Sequence, residues 1–160
     1  HAGVEKFMSQ AKASGIDGFI LPDVPVEEAE AYLAAASKLG LATVFLASPN
    51  SSQARLQKIV KSSSGFLYLV SVFGITGARK SFEDYTLDAI RRVKQAAGDK
   101  IPIAVGFGIS TPAHARFMIG AGADAVIVGS AIVDRIAKLR GIKRLSELQS
   151  FAKSMKKACS

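Results

Sequence analysis

Apolar runs alternate with amphipathic segments along the chain. Five short runs rich in Val, Ile, Leu and Phe have the composition of buried strands: 17–21, 41–47, 66–71, 101–105 and 125–128. Apolar residues three and four positions apart predict helices at 4–14, 27–39, 51–61, 83–97, 110–120, 131–139 and 145–157. A helix therefore precedes the first strand, and a helix follows every strand. This order predicts an α/β protein with parallel strands joined by right-handed crossovers, in an open sheet or in an arc of a barrel.

Length and hydropathy limit the class of protein. A chain of 160 residues with 49% hydrophobic residues is expected to form a single domain, 1–160, with a sizeable core. No run approaches the roughly 18 apolar residues that a membrane-spanning helix needs, so no membrane partner is expected. The one cysteine, Cys159, is next to last, and no secretory pattern is present at the N-terminus. The expected location is the cytoplasm.

The formal net charge of +8 raises the question of a nucleic-acid partner. Most basic residues are scattered at the spacing of helix surfaces, with one cluster at 138–157. Aromatic side chains do not alternate with that cluster as a base-stacking surface would require. The pattern predicts a solvated face and no nucleic-acid partner, while a positive field would also steer a phosphorylated metabolite.

Two glycine-bearing turns follow the last two predicted strands. The segment 106–110, GFGIS, joins a strand to a helix start, and Gly129–Ser130 repeats the arrangement one strand later. Glycines let a backbone approach an anion closely, and a helix N-terminus offers N–H donors. A single turn of this kind is equally typical of a plain tight turn. Two neighbouring copies favour a phosphate site, as in the loops after the last two strands of a (β/α)₈ barrel.

Three further features are candidates for chemistry. The loop 74–80 combines glycines with donors and suits either a lid over bound ligand or a plain surface loop. Tyr68 lies in the third predicted strand, where a tyrosine is often a packed residue with one hydrogen-bond partner. Asp23 is the one carboxylate at the C-terminal end of a predicted strand. A carboxylate at this place is typical either of a catalyst in a barrel or of a residue that stabilises the turn. Neither His1 nor His114 has a Cys, Asp or Glu at metal-ligand spacing, so no metal is expected.

Five strings give the chain a resemblance to a known family. GIDGFILPDVPVEEAE, FLASPN, SSGFLYLVSVFGITGAR, IPIAVGFGISTP and GADAVIVGSAIV resemble the α subunits of tryptophan synthase, the indole-3-glycerol-phosphate lyases, and follow the family's order. The GFGIS and GSAIV strings are shared in part by other phosphate-binding barrels. The resemblance implies a (β/α)₈ TIM barrel of which this chain is a partial barrel, supplying five parallel strands, the fourth to the eighth. It also implies a reaction, the retro-aldol cleavage of indole-3-glycerol phosphate to indole and glyceraldehyde 3-phosphate in tryptophan biosynthesis.

The resemblance also implies roles for individual residues. The expected ligands of the substrate phosphate are Gly77, Gly106, Phe107, Gly108, Gly129 and Ser130. The expected residues of the substrate pocket and lid are Ile20, Tyr68, Thr76 and Ile127. Asp23, Pro25 and Asn50 match the region that meets the β subunit, which is the implied partner. No cofactor is expected in this chain, because pyridoxal phosphate would belong to that β subunit.

The sequence departs from the family at its catalytic carboxylates. The family's glutamate acid–base and its indole-binding aspartate would both fall before residue 1, so no catalytic residue is expected in this chain, and the fragment alone is expected to be inactive. A ribulose-phosphate epimerase is a less suitable barrel, because that class uses metal-ligating His and Asp at strand ends. A non-catalytic phosphate-binding half-barrel or interaction module is the alternative from another class. A plastid location would apply to a plant or algal source.

Overall fold

Helices and strands alternate along the chain in the computed structural model, which describes residues 3–71 and 79–160, with side chains in the second range from Asp84 onward. The helices are α1 Val4–Ala13, α2 Glu30–Leu39, α3 Gln53–Ser62, α4 Arg79–Ala97, α5 Pro112–Gly120, α6 Ser130–Lys138 and α7 Gly141–Ala158. The strands are β1 Gly18–Leu21, β2 Ala42–Ala47, β3 Leu67–Val70, β4 Ile103–Gly106 and β5 Ala125–Ile127. A 3₁₀ turn, Val26–Glu28, precedes α2.

The five strands form one parallel sheet in the order β1-β2-β3-β4-β5. Each strand pairs with the next strand along the chain: Leu21 lies opposite Phe45, and Gly106 lies opposite both Val70 and Ile127. The predicted alternation of parallel strands and helices is confirmed. All five strands therefore end at the same edge of the sheet, which is where such folds place their sites.

One face of the sheet packs against the helices. Side chains that alternate along β2, β3 and β4 point toward the helices and join a single buried cluster with residues of α3, α4, α5 and α7. Phe45, Leu67, Leu69, Ile103 and Val105 are the strand members, each no more than 2% exposed. The strands read as nearly continuous apolar runs because the opposite face is also largely apolar.

Side-chain caps explain two of the helix starts. The Ser52 hydroxyl accepts a hydrogen bond from the Arg55 N–H and starts α3, while Thr111 accepts from the His114 N–H and starts α5. Pro112 occupies the first turn of α5, where its missing N–H costs nothing. Both capping residues lie one residue after the predicted helix starts, 51 and 110. Each cap holds the first turn directly after a strand-end loop.

Three helices start three or four residues away from the predicted position, and the other starts agree within two residues. The predicted helix 27–39 is divided at Ala29, which is fully buried and joins the 3₁₀ turn to α2. Helix α4 begins at Arg79, earlier than the predicted 83. Helix α7 begins at Gly141, earlier than the predicted 145, and nearly all of 141–150 is exposed. Because burial creates the apolar stripe, an exposed first part leaves no periodic signal.

The amino-terminal edge of the sheet is fixed by Asp124. Its carboxylate accepts hydrogen bonds from Lys94 Nζ at 2.8 and 2.9 Å and from the Ile103 N–H at 2.8 Å. Burial raises the pKa of Asp124, but the two hydrogen bonds and the lysine charge outweigh it and lower the pKa below its ordinary value. Asp124 therefore joins α4, β4 and the start of β5 on the side of the sheet away from the strand ends.

Candidate phosphate and substrate site

Ile20, Tyr68 and Ile127 share the face of the sheet that does not pack against the helices. The strand register shows this. Ile20 pairs with Val44 of β2 and Tyr68 pairs with Leu46, two residues further along β2. In the same way, Tyr68 pairs with Ala104 of β4 and Ile127 pairs with Gly106, two residues further along β4. Residues two apart in a strand point to the same side. Ile20 is 47% exposed and the other two are half-buried. Three expected pocket residues thus lie on one surface, which we call the open face.

Tyr68 and Gly106 are in close contact on the open face. A Cβ built on Gly106 would lie 2.9 Å from Cε1 of Tyr68 and would overlap the phenol oxygen. A side chain at position 106 would therefore force the Tyr68 ring to shift. Desolvation by burial raises the pKa of Tyr68 above 10.0, because burial disfavours the charged phenolate.

The backbone after β4 turns through two left-handed residues. Phe107 has φ 86° and Gly108 has φ 73°, and the Phe107 side chain is 68% exposed. For a residue with a side chain this conformation costs on the order of 1 kcal/mol or more, so the surrounding structure must maintain it. We call residues 106–108 the glycine turn. Gly106 and Phe107 begin it directly beside Tyr68 and β5.

Ser71 supplies that support, and sequence reasoning did not assign it a role. Its hydroxyl donates to the Phe107 carbonyl oxygen at 2.5 Å, and its N–H donates to the Gly106 carbonyl oxygen at 2.7 Å. The side chain is 2% exposed. The only available signal was a polar residue at the end of an apolar strand, which does not reveal its partner.

Helices α5 and α6 begin next to the ends of β4 and β5. The Ser110 N–H donates to Nδ1 of His114 at 3.4 Å, within the first turn region of α5. Helix α6 starts at Ser130 after Gly129, where a built Cβ has no described atom within 4 Å. Ser110 and Ser130 both line one depression of about 450 Å³. The two predicted phosphate segments therefore lie side by side, with helix N-termini that favour an anion.

The Arg135 side chain of α6 connects this helix to α7. The Arg135 guanidinium lies 3.7 Å from the centroid of the Phe151 ring, and its Nη1 donates to the Ala131 carbonyl oxygen at 2.6 Å. A cation over an aromatic ring is attracted to the ring's negative face. Because Phe151 is only 9% exposed, α6 is held against a buried part of α7.

The expected partner surface is exposed at the ends of β1 and β2. Asp23 and Pro25 lie in the exposed loop after β1, and Asn50 is exposed in the loop after β2. Asn50 accepts a hydrogen bond from the Tyr85 hydroxyl through Oδ1. An ion pair of Arg55 with Glu27, 3.3 Å apart, joins α3 to the 3₁₀ turn.

Helix α4 also holds the loop after β2. Arg92 donates through Nη1 to the Pro49 carbonyl oxygen at 3.0 Å and through Nη2 to the Ser51 carbonyl oxygen at 2.6 Å. These two bonds flank Asn50 on both sides in sequence. The exposed Asn50 is therefore presented by a loop whose backbone is fixed from behind.

Some of the expected site lies outside the described residues, namely Thr76 and Gly77. Within 3–71 and 84–160, where side chains are described, no three His, Cys, Asp or Glu side chains converge as metal ligands would. Over the same residues no helix is long and apolar enough to cross a membrane. None of β1 to β5 contains an Asp or Glu, so the described open face offers a phenol but no carboxylate of its own.

Five parallel strands with alternating helices, and two helix N-termini beside adjacent strand ends, are typical of part of a (β/α)₈ barrel. The family-level comparison narrows this class: the model of the tryptophan synthase alpha chain matches residues 1–160, and the chain belongs to that family. The resemblance seen in the sequence strings is confirmed.

Curated relatives agree with this assignment. The chain is 44% identical over 158 residues to the tryptophan synthase alpha chain of Trichormus variabilis, covering 99% of this chain and 59% of that protein. It is 46% identical over 155 residues to that of Methanococcus vannielii, covering 96% of this chain and 59% of that protein. The chain thus spans about 59% of the length of these curated relatives.

Solved structures show the same architecture. A tryptophan synthase α2β2 complex from Pyrococcus furiosus contains a chain that is 38% identical, with a TM-score of 0.85 over 98% of this chain and 62% of that chain. A tryptophan synthase from M. tuberculosis is 32% identical, with a TM-score of 0.80 over 98% of this chain and 56% of that chain. The predicted fold class, an α/β arc of a TIM barrel with five parallel strands, is therefore confirmed.

Proposed function

We propose that this chain provides the phosphate-binding end and part of the indole-facing wall of a tryptophan synthase α-type lyase. The observation that supports the proposal is the open face, on which Ile20, Tyr68 and Ile127 lie beside the glycine turn. The substrate would be indole-3-glycerol phosphate. Its apolar ring matches the isoleucines, and its phosphate matches the two helix N-termini.

The reaction divides between what this chain contributes and what it lacks. Retro-aldol cleavage breaks the bond between the indole ring and the glycerol phosphate chain, adds a proton to the ring carbon and removes one from a hydroxyl. Both proton transfers need a positioned acid or base. The five strands carry no carboxylate, and Asp23 is exposed in the loop beyond β1. We therefore propose that these residues bind and orient substrate, and that the proton transfers use groups outside the 160 residues.

The partner in this proposal is a tryptophan synthase β subunit. The surface assigned to it contains Asp23, Pro25 and Asn50, which are exposed at the ends of adjacent strands. The Pyrococcus furiosus relative is described as part of an α2β2 complex, which supports a partner of this kind. Pyridoxal phosphate belongs to the chemistry of that partner, and this chain is proposed to hold no cofactor.

Phosphate binding is tested by the effect of ligand on thermal unfolding. Glycerol 3-phosphate should raise the midpoint of unfolding, with a stabilisation of RT ln(1 + [L]/Kd). Gly129→Leu should abolish the rise, because its side chain would fill open space in front of α6 without meeting described atoms. Gly120→Leu is the matched control, since Gly120 has equally open space at the other end of α5. No rise for the wild-type chain at millimolar ligand would refute the phosphate site.

The division of the reaction is tested by an assay for indole. The purified chain should release no indole from indole-3-glycerol phosphate above background, with or without a β subunit. Release of indole by this chain alone would show that it contains the acid and base itself. In that case Asp23→Asn would identify whether the exposed strand-end carboxylate is responsible.

A further inference from the structure

Ser71 contacts both peptide groups of the glycine turn. Its N–H donates to the Gly106 carbonyl oxygen at 2.7 Å, and its hydroxyl donates to the Phe107 carbonyl oxygen at 2.5 Å. Ser71 directly follows β3, while the turn follows β4, so the two bonds connect neighbouring strand ends. With 2% of its surface exposed, Ser71 makes these bonds where water competes little.

Each of these bonds sets the direction of an N–H group. The C=O and the N–H of a trans peptide point in opposite directions, and the described residues contain no cis peptide. Because the Gly106 carbonyl is turned toward Ser71, the Phe107 N–H is turned away from it. The same holds for the Phe107 carbonyl and the Gly108 N–H. Two successive N–H groups therefore face away from Ser71, as in the backbone concavities that bind anions.

The turn depends on this support because of Phe107. A residue with a side chain rarely adopts φ 86°, and this one is followed by Gly108 at φ 73°. Without a partner for the Phe107 carbonyl, the Phe107–Gly108 peptide could rotate, which changes ψ of Phe107 and φ of Gly108 and redirects the Gly108 N–H. The hydroxyl of Ser71 opposes that rotation.

We propose that Ser71 is a positioning residue for the substrate phosphate, acting through the backbone of the glycine turn. It does not touch the anion; it directs the Phe107 and Gly108 N–H groups toward a phosphate monoester. The proposal rests on the proposed function and adds to it a residue whose side chain lies beneath the site. Its role is distinct from packing, because its effect is on anion affinity at temperatures where the chain is folded.

The first test uses the unaltered chain and inorganic phosphate or glycerol 3-phosphate in an amide ¹H–¹⁵N titration. The Phe107 and Gly108 resonances should shift together with those of Gly129 and Ser130. Shifts at Gly129 and Ser130 alone would overturn the role of Ser71 and leave the phosphate site intact. No shift at any of the four would overturn both the proposed function and this inference.

The second test compares variants well below their unfolding temperatures. Ser71→Ala should bind glycerol 3-phosphate about three- to tenfold more weakly, the effect of one neutral hydrogen bond, and Ser71→Thr should restore most of the affinity. Thr43→Val is the matched control, because Thr43 is 3% exposed and donates to the Ser62 carbonyl oxygen at 2.9 Å, far from the turn. Equal affinity of Ser71→Ala and wild type would overturn the proposal, as would an equal loss in Thr43→Val. If Ser71→Ala does not fold, the amide titration decides.

Discussion

The ring of Tyr68 occupies the space that a side chain on Gly106 would need. The two residues lie on the same face of adjacent strands, and a Cβ on Gly106 would approach Cε1 of Tyr68 to 2.9 Å. The position of the Tyr68 ring therefore depends on the absence of a side chain at Gly106.

Gly106→Ala should therefore destabilise the chain by about 1–3 kcal/mol, as is typical of overpacking. In a Tyr68→Leu background the cost should be smaller, because the smaller side chain leaves room. Urea unfolding of the two single variants and the double variant gives the coupling free energy. Additivity within about 0.5 kcal/mol would mean that the contact is not energetically significant.

The same phenol should make stability depend on alkaline pH. Burial raises the folded-state pKa of Tyr68 above its unfolded value of 10.0, so the unfolded chain loses this proton first. The contribution is fully present below pH 10 and is lost as the pH rises through the folded pKa. Tyr68→Phe should flatten the fall of unfolding free energy in that range, relative to wild type, in urea titrations between pH 9 and 11. Identical slopes would show that Tyr68 does not contribute to the fall.

Acid should weaken the Asp124 connection. The folded-state pKa of Asp124 is below its ordinary value of 3.8, so its contribution is present above that value and is lost as the pH falls through the folded pKa. Asp124→Asn should lower stability at pH 7 by about 0.2–1 kcal/mol, the range for exposed ion pairs. The difference from wild type should shrink below pH 4. Glu5→Gln is the control, because the Glu5–Lys38 pair has a single 3.4 Å contact and should have no measurable effect.

The loop that presents Asn50 should depend on Arg92. The planar guanidinium of Arg92 donates to the Pro49 and Ser51 carbonyl oxygens through two different nitrogens. The single ammonium group of a lysine cannot reproduce this geometry, so Arg92→Lys should loosen the loop. We expect roughly fivefold weaker binding to a β subunit by calorimetry, the effect of about one hydrogen bond. Arg91→Lys, at an exposed neighbouring position, should bind as wild type does. Equal weakening by both substitutions would show that the loss does not come from the two carbonyl contacts of Arg92.

Thr86 is a site for stabilisation. Its hydroxyl is buried, with 1% of the residue exposed, and has no hydrogen-bond partner within the part of the chain that the structure describes. Thr86→Val keeps the shape and removes the buried polar atom, so stability should rise by up to about 1 kcal/mol. Thr43→Val should have the opposite effect, because the Thr43 hydroxyl donates to the Ser62 carbonyl oxygen. A loss of stability in Thr86→Val would reveal a partner for its hydroxyl.

Local chemistry made much of the fold predictable. Ser52 and Thr111 cap helices where the sequence predicted helix starts, and the apolar runs form strands within two residues of their predicted ends. The start of α7 could not be predicted in the same way, since 141–150 is mostly exposed and carries no stripe. The periodic pattern of apolar residues marks the buried part of a helix, and the helix can begin before that part.

The site was predictable only in part, for a different reason. The glycine turn and Gly129–Ser130 were visible as residue types, and the family resemblance supplied Ile20, Tyr68 and Ile127. Their assignment to substrate remains a prediction, although register gives the three side chains a common face. Ser71 was not predicted, because a serine's partner depends on the neighbouring strand and not on the serine's own surroundings in sequence.

Helix α7 affects the strand ends through the two helices that it contacts. The 18-residue helix contacts α5 and α6, and Phe151 receives the Arg135 cation of α6. Helices α5 and α6, whose N-termini lie beside the predicted phosphate segments, therefore both pack against α7. Because Phe151, Met155 and Ala158 of α7 also belong to the main buried cluster, a C-terminal truncation that removes α7 should destabilise the core and free the N-termini of α5 and α6 together.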